Sequence, residues 1–101
     1  MDYYNIDLSE EFEDEFNYII EYTIFILKNP LAAQSLFEEI PKAIRQLETF
    51  PNRNQIIRDG IRKIRVKKYH IYYSVDEQMK IVNILHILYQ GMDTTKIANW
   101  N

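Results

Sequence analysis

Phe12, Phe16, Ile19, Ile20, Thr23, Ile26 and Leu27 recur at intervals of three or four positions. That is the period of one face of an amphipathic helix about 18 residues long. Ahead of it YYNIDL, residues 3–8, places Tyr4, Ile6 and Leu8 on alternate positions and reads as a brief strand. Ser9 sits where the helix needs an N-cap, and Glu10 and Glu11 put negative charge into a first turn that favours it. Phe12 takes the position where a capping box would have a glutamate. Asn29-Pro30 then ends one helix and opens another, since proline suits the first helical position and asparagine caps it. The second stripe is Ala33, Leu36, Phe37, Ile40, Ile44 and Leu47, with Pro41 inside it predicting a kink and Phe50-Pro51-Asn52 closing it.

After residues 52–59, which read as a polar connection, the period falls from 3.6 to 2. Ile64 and Val66 alternate with Lys63, Arg65 and Lys67, and Tyr69, Ile71, Tyr73 and Val75 alternate with His70, Tyr72 and Ser74. The phase slips by one residue near Lys67-Lys68, which predicts a turn or bulge there between two strands. Asp76-Glu77-Gln78 is a second turn, and KIVNILHILY (80–89) reads as a central strand covered on both faces, ended by Gly91. The alternation puts Val82, Ile84, His86 and Leu88 on one side of it. Ile97 and Trp100 in the tail suit a short final helix or docked segment. The order is strand, two helices, three strands. It defines an α+β fold in which a helical hairpin packs on one face of a mainly antiparallel sheet.

A chain of 101 residues with 47% hydrophobic and 27% charged residues is expected to be one domain, residues 1–101, with a small core. The lack of cysteine removes disulfide and thiolate-metal sites and suits a reducing cytoplasm. No apolar run approaches the roughly 20 residues of a membrane helix, so no membrane partner is expected. The net charge of −3 hides a division: residues 1–50 hold three cations against eleven anions (−8), and residues 51–101 hold nine against four (+5). Such asymmetry points to an anionic partner for the second half, or to two faces that are simply solvated.

The positive charge gathers in GIRKIRVKKYHIYYSVD (60–76), where Arg62, Lys63, Arg65, Lys67 and Lys68 follow Arg58. Alternation sets Arg65 and Lys67 opposite Ile64 and Val66, so they form an outward patch suited to phosphate or to an acidic protein segment. Edge strands also carry Lys and Arg merely to discourage aggregation. Tyr69, Tyr72, Tyr73 and Tyr89 either stack on bases beside that patch or pack within the sheet. His86, within an apolar strand, is either a hydrogen-bonded core residue or a general base. Neither His86 nor His70 has a second ligand at metal spacing, so no metal and no cofactor is expected. The chain contains no P-loop, dinucleotide fingerprint, nucleophile elbow or HExxH.

Five stretches in this order and spacing resemble the RelE/ParE superfamily of bacterial toxins from type II toxin-antitoxin systems. They are YNIDLSEEFEDEFNYIIEY, NPLAAQSLFEEI, LETFP, GIRKIRVKKYHIYYSVD and IVNILHILYQGMD. The resemblance implies the architecture that the periodicity predicts. It also implies a growth-arresting toxin of a plasmid-stabilising module, held in check by a cognate antitoxin with an acidic, partly disordered segment, as a homodimer or as a heterotetramer with antitoxin. NPLAA, LETFP and ILHILYQGMD are similar to the ParE-like branch, whose best-known members poison DNA gyrase without chemistry of their own. RelE-like relatives are instead ribosome-dependent messenger-RNA endonucleases. On that alternative Arg62 and Arg65 orient the phosphate, while His86 or Tyr89 assists proton transfer. The exit QGMD lacks the arginine usual there, and the tail after it lacks a tyrosine. A third alternative is an inactive remnant that only binds antitoxin. For the antitoxin or the target, the implied contact set is Arg58, Arg62, Arg65, Lys67, Lys68 and Tyr69.

Overall fold

The computed structural model describes residues 3–92. The tail helix expected around Ile97 and Trp100 lies outside them. Strand β1 (Asn5–Leu8) leads into helix α1 (Glu10–Glu21), which continues through a π-helical turn, Tyr22–Ile26, before helix α2 (Pro30–Gln46). Four strands follow: β2 (Ile56–Arg58), β3 (Ile61–Val66), β4 (Tyr69–Asp76) and β5 (Ile81–Tyr89). They form one sheet in the order β1-β5-β4-β3-β2, antiparallel except where β1 runs parallel to β5. This is the α+β arrangement read from the periodicity, with one strand more.

The caps are those the sequence signals. Ser9 Oγ accepts the Phe12 N–H at 3.0 Å and donates to the Leu85 carbonyl at 2.8 Å, so the cap also fastens α1 to β5. Asn29 Oδ1 accepts the Ala32 N–H at 3.1 Å, ahead of Pro30 in the first turn of α2. That helix runs on through Pro41 to Gln46.

The first helix departs from its predicted stripe at Thr23. The Thr23 hydroxyl donates to the Ile19 carbonyl at 2.7 Å, competing for the acceptor four residues back, and Leu27 N–H reaches the Tyr22 carbonyl five residues back at 3.0 Å. One extra residue in a turn rotates everything after it by about 100°. Ile26 and Leu27, expected in the core, are therefore exposed, as are Tyr22 and Phe25. Lys28, in the left-handed region at φ 51°, ends the helix. Phe37 of the second stripe is exposed as well, its ring stacked on Phe16 at 6.0 Å.

Between helices and sheet lies the main core, built from Phe12, Leu36, Ile40, Ile44 and Leu47 against Ile71, Tyr73, Val82, Ile84 and Ile87. A smaller cluster of Ile61, Tyr72 and Leu88, with Leu85 beside it, occupies the opposite face. Core burial sets the register, because a slip of one residue would turn each strand inside out. The expected slip near Lys67-Lys68 is a two-residue turn: Val66 pairs with Tyr69, and Lys67 adopts φ 55°.

Two features differ from the sequence expectation. Residues 56–58 form β2, joined to β3 through Asp59 (φ 44°) and Gly60 (φ 76°). An Asp-Gly pair with both residues at positive φ is a favoured two-residue hairpin loop. In β5 the ladder skips a residue, with Tyr72 opposite His86 and Tyr73 opposite Ile84. Leu85 is the extra residue of this bulge, which shifts the phase of the strand. Val82, Ile84 and Ile87 face the helices in consequence, and Leu88 faces away, so the single-sided row Val82, Ile84, His86 and Leu88 is not formed.

Candidate functional site

The basic residues divide between the two faces of β3. Arg62 shares its face with Ile64 and Val66, which pack against the helix-side core. Its guanidinium donates to the carbonyls of Asn52, at 3.2 Å, and Asn54. Asn54 Nδ2 donates to Tyr73 Oη at 3.0 Å, and the Tyr73 hydroxyl donates to the Pro51 carbonyl at 2.7 Å. Arg62 and Tyr73 thus pin residues 51–54 to the sheet, and the Tyr73 hydroxyl satisfies the buried Pro51 carbonyl.

Arg65, three residues on, faces the other way. It is exposed and its Nε donates to the Lys67 carbonyl at 3.0 Å across the turn. Arg65 pairs with His70 and Lys63 with Tyr72. The His70 ring stands edge-on to Tyr72 at 6.2 Å. Partial burial, and then the nearby charges of Lys63 and Arg65, lower the His70 pKa from its ordinary 6.5. Lys67 and Lys68 project at the turn, and Arg58 lies at the end of β2 beside Asp59, 3.6 Å away. Of the expected contact set, Arg65, Lys67 and Lys68 come together, Arg58 sits at the far end of the neighbouring hairpin, and Arg62 is turned to the helix side.

His86 is buried, with Nδ1 2.9 Å from Glu15 Oε2. The other carboxylate oxygen of Glu15 accepts the Ile87 N–H at 2.9 Å. Because β1 ends opposite Ile84, β5 beyond that point has no strand neighbour on this side, and Ser9 and Glu15 of α1 supply its hydrogen bonds instead. Tyr89, at the end of β5, packs edge-on against Tyr69 with ring centres 5.6 Å apart. The Tyr69 hydroxyl is held above its ordinary pKa, chiefly by burial. Arg62, Arg65, His86 and Tyr89 therefore occupy four separate settings. Among the described residues no group of His, Asp and Glu is arranged to hold a metal ion, and no helix is long and apolar enough to cross a membrane.

Where α1 diverges from the end of β5, a groove of about 730 Å³ opens, lined by Tyr18, Tyr22, Leu27, Ile87, Tyr89 and Met92 among others. Tyr18 is 65% exposed and Leu27 56%, so the groove is open to solvent. The rings of Tyr18 and Tyr22 stack at 5.9 Å, and Asp14 and Glu15 border them. The helical period hides this groove, since it assigns Leu27 to the core. A signal is nevertheless present in the acid and aromatics spaced four apart along the helix: Asp14, Tyr18 and Tyr22.

A strand, a helical hairpin and a four-strand extension with a basic turn are the parts of a small toxin of the RelE/ParE superfamily. The family described as ParE toxin of type II toxin-antitoxin system, parDE, matches residues 6–94, and the chain belongs to it. Solved structures agree on the fold. The chromosomal ParDE system from P. aeruginosa superposes with a TM-score of 0.72 at 15% identity, over 85% of this chain and 95% of that one. The toxin-antitoxin complex RelBE2 from Mycobacterium tuberculosis gives 0.63 at 17% identity, over 91% and 97%. A mutant of the E. coli toxin RelE in the free state gives 0.65 at 16% identity, over 90% and 86%. No curated protein matches the sequence.

Proposed function

We propose that this toxin arrests growth by binding DNA gyrase in the cytoplasm, with no bond-breaking step of its own. The observation that carries the reading is the separation of Arg62, Arg65, His86 and Tyr89. Cleavage of a phosphodiester needs a base, an acid and charge-stabilising donors within hydrogen-bond reach of one phosphate. Arg62 instead donates to two loop carbonyls on the helix side, Arg65 points from the opposite face, and His86 is closed against Glu15. A net charge of −3 also gives little general attraction to ribosomal RNA.

A cognate antitoxin neutralises the toxin, by likeness to the RelBE2 complex. Its acidic segment seats on the basic turn, where Arg65, Lys67 and Lys68 supply the charge; Arg58, at the other end of β3, is a separate cation, and Tyr69 lies on the helix side in the wall of the α1–β5 groove. Arg62 contributes by holding β3 and the loop beneath it. The test is titration of the purified chain into gyrase acting on relaxed plasmid, alongside ribosomes translating a defined message. Supercoiling is expected to fall with the message intact, and antitoxin to restore it. Cleavage of the message, abolished in Arg65→Ala, with supercoiling unaffected would overturn the proposal in favour of an endonuclease.

A further inference from the structure

The groove between α1 and the end of β5 has a chemistry that the basic turn lacks. Its floor and walls are apolar, from Ile19, Leu27, Ile87 and Met92. Its mouth is the stacked pair Tyr18 and Tyr22, both exposed, with Asp14 one helical turn before Tyr18 on the same face. Glu15, beside it, is already committed to His86 and the Ile87 amide. Asp14 therefore supplies the groove's free carboxylate among those lining it. An aromatic face next to a carboxylate is the environment in which a guanidinium is held both by cation–π attraction and by paired hydrogen bonds. An acidic segment has no favourable place here, because the charged residues lining the groove, Asp14 and Glu15, are both acidic.

We infer that this groove seats an apolar, arginine-bearing segment of the antitoxin, whose guanidinium stacks on Tyr18 and Tyr22 against Asp14 while its aliphatic side chains lie on Leu27, Ile87 and Met92. This rests on the reading of the chain as an antitoxin-neutralised toxin. It adds that the antitoxin is bipolar toward the toxin, with acid on the β3–β4 turn and cations at the groove. The two surfaces carry opposite charge, so they fix the direction in which the antitoxin lies across the toxin.

The experiment measures antitoxin affinity for the full chain and for Tyr18→Ala, Asp14→Asn and Leu27→Asp, all changes at exposed positions, with each variant's unfolding midpoint as a control for folding. Affinity is expected to fall about tenfold in Tyr18→Ala and Asp14→Asn and further in Leu27→Asp. Replacing the segment's arginine by lysine, which loses the planar stack, should recover only part of the binding lost on replacing it by alanine. Binding of all three variants within twofold of the wild type overturns the inference. So does a wild-type chain that self-associates and becomes monomeric in Leu27→Asp with antitoxin affinity unchanged, since the groove then belongs to a second copy. Growth arrest by the chain alone separates the two levels. If arrest occurs and the groove variants bind antitoxin normally, the groove assignment fails and the toxin reading stands; if no arrest occurs, the toxin reading itself fails.

Discussion

The β3–β4 turn and the α1–β5 groove depend on the fold to opposite degrees. At the turn Arg65, Lys67 and Lys68 stand on a hairpin tip, and little of the fold depends on their charges. At the groove, Glu15 lines the wall and also completes the sheet, because it accepts the Ile87 amide and holds His86. Charge displayed on a turn can be altered without loss of structure. A surface built where a strand has lost its neighbour is bound up with stability. The same contrast appears within one strand, where Arg62 secures a loop and Arg65, three residues away, is exposed and bonds only across its own turn.

That comparison is most exposed to test at Glu15. Glu15→Ala should lower stability by about 1–3 kcal/mol in denaturant unfolding, since it removes the acceptor of the part-buried Ile87 amide and the carboxylate beside His86. A loss as small as that of a surface mutation would show that the strand edge is held by something else. Arg62→Ala should cost about 1–2 kcal/mol and speed hydrogen exchange in residues 51–54, where its carbonyl partners lie. Arg65→Ala should change stability by less than about 0.5 kcal/mol while weakening antitoxin binding, the reverse of the Arg62 pattern.

The smallest effect is at His70. Its pKa is lowered in the folded chain, by burial first and then by Lys63 and Arg65, so the unfolded chain binds more protons between that lowered value and 6.5. The His70 contribution is therefore complete above pH 6.5 and is lost as pH falls from there through the lowered value. NMR titration should place the His70 midpoint below 6.5, and Lys63→Ala with Arg65→Ala should raise it. An unmoved midpoint in that double variant would leave burial as the sole cause.

Much of this architecture is legible in the residues themselves. Ser9 and Asn29 cap the helices they precede, and the phase slip at Lys67-Lys68 is a turn, because a cap needs one side chain and a slip one extra residue. The Asp59-Gly60 pair marks a hairpin just as directly, yet Ile56-Ile57-Arg58 before it is too short to show a period of two. The π-helical turn at Thr23 and the bulge at Leu85 are harder. Each inserts one residue into a regular element, and nothing in a repeating apolar pattern distinguishes an inserted residue from a continuing one. These two insertions expose Leu27 and turn Ile87 toward the helices, so they shape the groove. What period alone reveals is the core, and the groove arises where the period is broken.

The central claim is that this toxin binds its target and performs no chemistry on it. The most direct measurement is induction of the chain in cells lacking its antitoxin, following message integrity and DNA supercoiling side by side over the first minutes. The account predicts growth arrest with early loss of supercoiling or DNA breakage while messages remain whole. Early cleavage of messages on ribosomes with DNA topology unchanged would contradict it.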